Sequence, residues 1–173
     1  MTSNPVTRNS TSQHGHRKST TAGRDAVSFL TNQHRDVEEL FTQFEKLGNA
    51  ASPEEKEPIV RTACEMLSIH AAIEEEIFYP TARDVDDTES LLNQAEVEHL
   101  TLQDLVAELD AMDATDDLFA ATFSVLAEYV KHHVKEEEGE LFPRVEKSDL
   151  DLDALGEELA ARAHELAVAQ ATP

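Results

Sequence analysis

Six side chains in this sequence have the types and spacing for metal chemistry: His34, His70, Glu74, His99, His133 and Glu137. Four of them form two His-x-x-x-Glu pairs, His70–Glu74 and His133–Glu137. Four residues is just over one helical turn, so each pair projects from one face of a helix. The one cysteine, Cys64, can form neither an internal disulfide nor a thiolate cluster, so any metal must be held by nitrogen and oxygen. Four imidazoles and two carboxylates suit iron, manganese or zinc, and two histidines with a carboxylate favour non-haem iron. Two ions, each taking two histidines with Glu74 and Glu137 bridging, would keep exchangeable positions for dioxygen, peroxide or nitric oxide.

The elements that must position these groups are helices. Apolar residues recur at steps of three and four along four segments, about 24–47, 58–78, 87–112 and 116–140. Gly48 and Asn49 stop the first. Ser52-Pro53-Glu54-Glu55 carries a capping box ahead of the second, with Pro58 as its main start. Pro80 and Pro143 are expected to end the second and fourth helices. A fifth helix, about 151–169, places Leu152, Leu155, Leu159 and Leu166 on one face, either to cover the bundle or to meet a second chain. Short connections favour antiparallel neighbours. The expected fold is all-α: an up-down-up-down four-helix bundle with an additional C-terminal helix.

The seams of these helices are apolar except at one level. Val27, Leu30, Val37, Phe41 and Phe44 flank His34, and Val60, Ala63, Leu67 and Ile77 accompany His70 and Glu74. Leu92, Ala95, Leu102, Val106 and Leu109 flank His99, and Phe119, Phe123, Leu126 and Val130 precede His133 and Glu137. His34 lies 16 residues before Ala50 and His70 20 after it; His99 lies 15 before Ala114 and His133 19 after it. Equal counts along antiparallel helices mean equal heights, and the turns consume the offset of four residues in each half, so all six groups are expected to meet mid-bundle. Two buried carboxylates cost several kcal/mol if unpartnered, which packing alone does not justify. With metal removed, one of the two is expected to take up a proton.

The halves repeat. His34, His70 and Glu74 map onto His99, His133 and Glu137 by shifts of 65, 63 and 63, and residues 70–80 align with 133–143. Such a repeat suits a pseudo-twofold site with two metals. His132 is expected to point off the seam, and Tyr129, one turn above His133, to pack in the core rather than to donate a hydrogen bond behind the ligands.

On these motifs the sequence resembles the hemerythrin-like proteins with an HHE cation-binding domain. The carriers are His34, His70-x3-Glu74, His99, His133-x3-Glu137 and the Pro-containing endings after both pairs, over about residues 24–147. The resemblance implies two non-haem iron ions, oxo- or hydroxo-bridged, held by His34, His70, Glu74, His99, His133 and Glu137. It departs from the oxygen carriers of that group, because Gln103 stands four residues after His99, where they offer another histidine, and Glu137 takes the place of an aspartate. The variant with four His and two Glu implies a catalase-like reaction with hydrogen peroxide. The alternative is non-catalytic binding, sensing or storage of oxygen, nitric oxide or iron. A ferritin-like site is the weaker resemblance: Glu96-x-x-His99 matches once, but Val130 stands where the second glutamate belongs.

The bulk composition narrows the partners. Lys plus Arg number 14 and Asp plus Glu 36, a net charge of −22 with histidines neutral, which argues against nucleic acid and anionic membrane surfaces. No apolar run is long enough to span a bilayer and no secretory leader is evident, so the expected location is cytoplasmic. The expected state is monomer or dimer. Residues 1–23, rich in Ser, Thr and Asn, read as a disordered tail in which His14 and His16 have nothing to fix them. Residues 24–147 form the expected di-iron bundle and 148–173 the C-terminal helix and tail.

Overall fold

The computed structural model describes residues 25–48 and 50–171; the tail assigned to residues 1–23 and the second half of the Gly48-Asn49 stop lie outside the described residues. Among the described residues there are helices and no strand. Helix α1 spans Ala26–Leu47 and α2 spans Pro53–Ile73, which continues through a π-helical turn, π1 (Glu74–Phe78), into the short α3 (Tyr79–Ala82). Helix α4 spans Glu89–Ala111. Helix α5 spans Phe119–Glu136 and continues likewise through π2 (Glu137–Leu141) into α6 (Phe142–Val145), and α7 spans Leu152–Gln170.

The ends follow from local chemistry. The Asp25 carboxylate caps α1 by accepting from the Ser28 amide at 3.0 Å, one residue inside the expected start. Gly48 closes α1 with φ +64°, a left-handed conformation in which it has no Cβ to clash. The capping box of Ser52 and Glu55 is present. Asp87, expected to be helical, instead takes φ +63° in the turn before α4, a conformation that Asp tolerates.

Prolines do not break the helices where expected. Pro58 sits inside α2, in the sixth position of the helix, where both Pro58 and Glu54, whose carbonyl loses its amide partner, are exposed to water. Pro80 and Pro143 fall just after the π turns, and the helices run on to Ala82 and Val145. In each π turn the hydrogen bond reaches back five residues, Tyr79 N–H to the Glu74 carbonyl and Phe142 N–H to that of Glu137. The wider turn gives the proline ring room that an α-turn would deny it. It also shifts the inward face by one residue. Ile77, expected on the seam, is only half-buried, and Phe78 and Tyr79 turn inward instead.

Neighbouring helices run antiparallel. His34 meets His70 while Phe44 meets Lys56 across α1 and α2, and Glu98 meets His133 while Gln94 meets Glu136 across α4 and α5. Arg61 of α2 donates to the carbonyls of Leu109 and Met112, neutralising the negative end of α4. Helix α7 packs along α1, α2 and π1, burying Leu155 and Leu159, so it covers one face of the bundle.

The core is divided in two. One cluster centres on Phe41, Phe44, Phe119, Phe123, Leu109 and Leu126, with Phe123 edge-on to both Phe41 and Phe44. The other holds Leu30, Ile73, Phe78, Leu92, Leu141 and Phe142 and takes in Leu155 and Leu159 of α7. Between them lies a polar layer made by His34, His70, Glu74, His99, His133 and Glu137.

Candidate metal centre

All six residues are 0–7% exposed. His34 comes from α1, His70 and Glu74 from the junction of α2 and π1, His99 from α4, and His133 and Glu137 from the junction of α5 and π2. Each glutamate thus stands as the first residue of a π turn. The structure brings all of them to one level.

They meet as two pairs. Nε2 of His34 lies 3.1 Å from Nε2 of His70, and Nε2 of His99 lies 3.2 Å from Nε2 of His133. Each carboxylate reaches both pairs. Glu74 Oε2 is 3.2 Å from His70 Nε2 and 3.4 Å from His99 Nε2; Glu137 Oε2 is 3.4 Å from both His34 Nε2 and His133 Nε2. His34, His70, Glu74 and Glu137 form one set of donor atoms close enough to share a cation, and Glu74, His99 and His133 form a second.

The orientation of every imidazole is fixed from behind. Nδ1 of His34 faces Glu138, that of His70 faces Gln33, that of His99 faces Glu75 and that of His133 faces Glu98, each at 2.9 Å. Such a partner directs Nε2 inward and raises its basicity as a ligand. Gln103 is not a member of the inner layer: it is exposed and its amide donates to Glu75 at 2.9 Å, one step behind His99.

One inner residue had not been expected. The Tyr79 hydroxyl donates to Glu137 Oε1 at 2.9 Å and lies 3.1 Å from His99 Nε2 and 3.4 Å from Glu74 Oε2. Burial, with the carboxylates of Glu74 and Glu137, pushes its pKa well above the usual 10, so it stays protonated. Its signal in the sequence was the repeat itself, where Tyr79 aligns with Phe142 and one half carries a hydroxyl the other lacks. Tyr129, by contrast, is 47% exposed rather than in the core, and His132 is on the surface as expected.

In the bare protein burial and the neighbouring charges pull these groups in opposite directions. Burial disfavours a charged His133, but Glu137 and Glu98 outweigh it and hold its pKa well above the usual 6.5. Burial likewise opposes charge on His34 and His99, and Glu137 and Glu74 respectively prevail, raising both. At His70 burial wins and lowers the pKa to about 4. Burial would raise Glu137, yet His133 and His34 hold it well below the usual 4.5. His133 and His34 thus favour the charged carboxylate at Glu137 against the effect of its burial.

A metal fits this donor set. Glu74 Oε1 and Glu137 Oε2 are buried carboxylate oxygens without a hydrogen-bond partner, an arrangement that costs several kcal/mol unless a cation answers it. Four inward-facing imidazole nitrogens complete a nitrogen and oxygen cage. Residues 25–145 match the hemerythrin HHE cation-binding domain family. The chain belongs to this family. A solved hemerythrin HHE cation-binding domain-containing protein from Mycobacterium kansasii has the same fold, with TM-score 0.68 and 23% identity over 82% of this chain and 86% of that one. No curated protein matches the sequence. The HHE chain here has no described helix long and apolar enough to cross a membrane.

A cavity of about 40 Å³ adjoins the layer. It is lined by all four histidines, by Val37, Leu67, Ala71, Leu102, Val106, Val130 and Val134, and by Gln33, Ser68 and Gln103, but by neither glutamate nor Tyr79. One water takes roughly 10–15 Å³ by this measure, so the cavity admits a ligand of about two or three heavy atoms.

Proposed function

We propose that this HHE protein binds two iron ions and uses them to disproportionate hydrogen peroxide, two molecules giving one of dioxygen and two of water. The observation that carries the reading is the pairing of Nε2 atoms with both carboxylates spanning the pairs. His34 and His70 would hold one ion and His99 and His133 the other, with Glu74 and Glu137 shared. Two adjacent iron ions supply two-electron exchange and Lewis acidity toward both peroxide oxygens.

The chain's own residues set the conditions. The apolar wall of Val37, Leu67, Leu102, Val106, Val130 and Val134 limits the water that reaches the imidazole face and restricts entry to small molecules. Tyr79 holds a proton at its Oη, 2.9 Å from Glu137 Oε1, and orients that carboxylate. Glu138, Gln33, Glu75 and Glu98 lock the rings so that little reorganisation is needed when the ligands engage.

The apolar character of the cavity wall favours a second reading, in which the same centre binds dioxygen or nitric oxide without turnover, or stores iron. Adding peroxide to the iron-loaded protein under argon and measuring dioxygen separates the two. Release of one dioxygen per two peroxides, over many cycles, is the expected result. No release, together with a reversible optical change on admitting dioxygen or nitric oxide, would replace the catalytic reading with the binding one.

A further inference from the structure

The two metal positions are flanked by outer partners that repeat with one exception. Glu138 behind His34 and Glu75 behind His99 are the same residue in the two halves, 63 positions apart. Gln33 behind His70 corresponds to Glu98 behind His133: each immediately precedes the histidine of its own helix, and each meets Nδ1 at 2.9 Å. One half therefore presents an amide oxygen where the other presents a carboxylate.

We propose that Gln33 is a positioning residue that makes the two metal positions unequal, so that the one at His34 and His70 holds its metal more weakly and favours the lower oxidation state. This rests on the two-iron reading. A carboxylate accepting from Nδ1–H draws the proton toward itself and makes Nε2 a stronger donor to a cation. An amide oxygen carries only a dipole and draws less. The surroundings of the other partners act in the same direction. Arg35 pairs with Glu138, so its charge offsets the pull of that carboxylate on His34. Glu75 and Glu98 instead accept from the neutral amides of Gln103 and Gln94, with the exposed His132 ring 3.7 Å from Glu98. Both imidazoles of the first pair are thus weaker donors than their counterparts in the second.

The test uses the full chain loaded with iron, its metal content measured first. Challenge with excess chelator should release the metal in two phases, about one ion in each. Gln33→Glu should slow the fast phase by roughly tenfold, the lower end of the usual effect of such partners. It should also move the more easily reduced iron to lower potential. Glu98→Gln should do the reverse to the slow phase and leave the fast one in place. A purely structural role for Gln33 would move melting temperature without this directed shift in potential. If Gln33→Glu does not fold, Glu98→Gln decides alone. A single release phase in the parent, or a Gln33→Glu variant with unchanged rates and potentials, overturns the proposal. Fewer than two ions in the parent overturns the two-iron reading and this inference with it.

Discussion

The first half of the bundle, α1 to α3, and the second, α4 to α6, present the same inner residues, His, His and Glu, at matching places on their helices. They differ in what stands behind and beside them. The first half carries Gln33 and Tyr79 where the second carries Glu98 and Phe142, and α7 lies against α1, α2 and π1. Phe142 stacks on His34 at 5.8 Å, whereas Tyr79 reaches Glu137 and His99 with a hydroxyl. A duplicated ligand set need not give duplicate sites. On the proposed two-iron reading the inner groups would hold the cations, and the surroundings would set how each position behaves.

The largest effect expected on this comparison comes from the shared carboxylates. Glu74→Ala removes an oxygen that both pairs face, so metal content should fall below about one ion per chain, whereas His70→Ala, which damages one pair, should retain about one. Metal analysis of the two variants checks this, and equal losses would mean that the halves are not separate positions. Next, removing metal should lower the melting temperature, by the equivalent of about 4 kcal/mol of binding at a thousandfold excess over Kd.

The pH dependence should differ in sign between the two forms. In the bare protein His133 has a raised pKa, so its stabilising charge is fully present below the ordinary 6.5 and is lost as pH rises through the raised value. In the loaded protein the imidazoles must give up their Nε2 protons, so acid competes with metal and stability is lost as pH falls. Calorimetry of both forms between neutral and mildly alkaline pH should show stability falling in the bare protein and holding in the loaded one. Parallel profiles would mean that these imidazoles do not exchange a proton for a metal.

Smaller effects sharpen the asymmetry. Leu159→Ala, on the covering helix, should cost about 3 kcal/mol in denaturant unfolding while leaving metal content unchanged. Tyr79→Phe deprives Glu137 Oε1 of its donor and should cost about 2 kcal/mol in the metal-free protein. The hydroxyl has no counterpart at Phe142, so a neutral outcome would show that Tyr79 only fills space.

Much of this arrangement was legible in the sequence, for a physical reason. A helix returns a side chain to the same face every three or four residues, so six polar residues on apolar seams stand out without any structure. The outer partners did not stand out. Glu75, Glu98 and Glu138 are three among 36 acidic residues, most of which suit a solvated surface, and only the packing shows which of them point at an Nδ1 atom. The π turns were hidden because Ile77 and Phe78 are both apolar, so the seam reads equally well in either register. Pro80 and Pro143 then passed for helix ends, since a proline stops an α-turn but not the wider turn that precedes it here.

On the proposed function the polar layer between the two core clusters holds two iron ions with shared carboxylates. The most direct measurement is the iron content per chain of protein loaded anaerobically with ferrous iron and freed of excess metal. About two ions per chain in the parent, and none in a His34→Ala/His133→Ala double variant that keeps its helicity, is the predicted result. A parent that holds no iron, or one that holds as much after both histidines are removed, would contradict it.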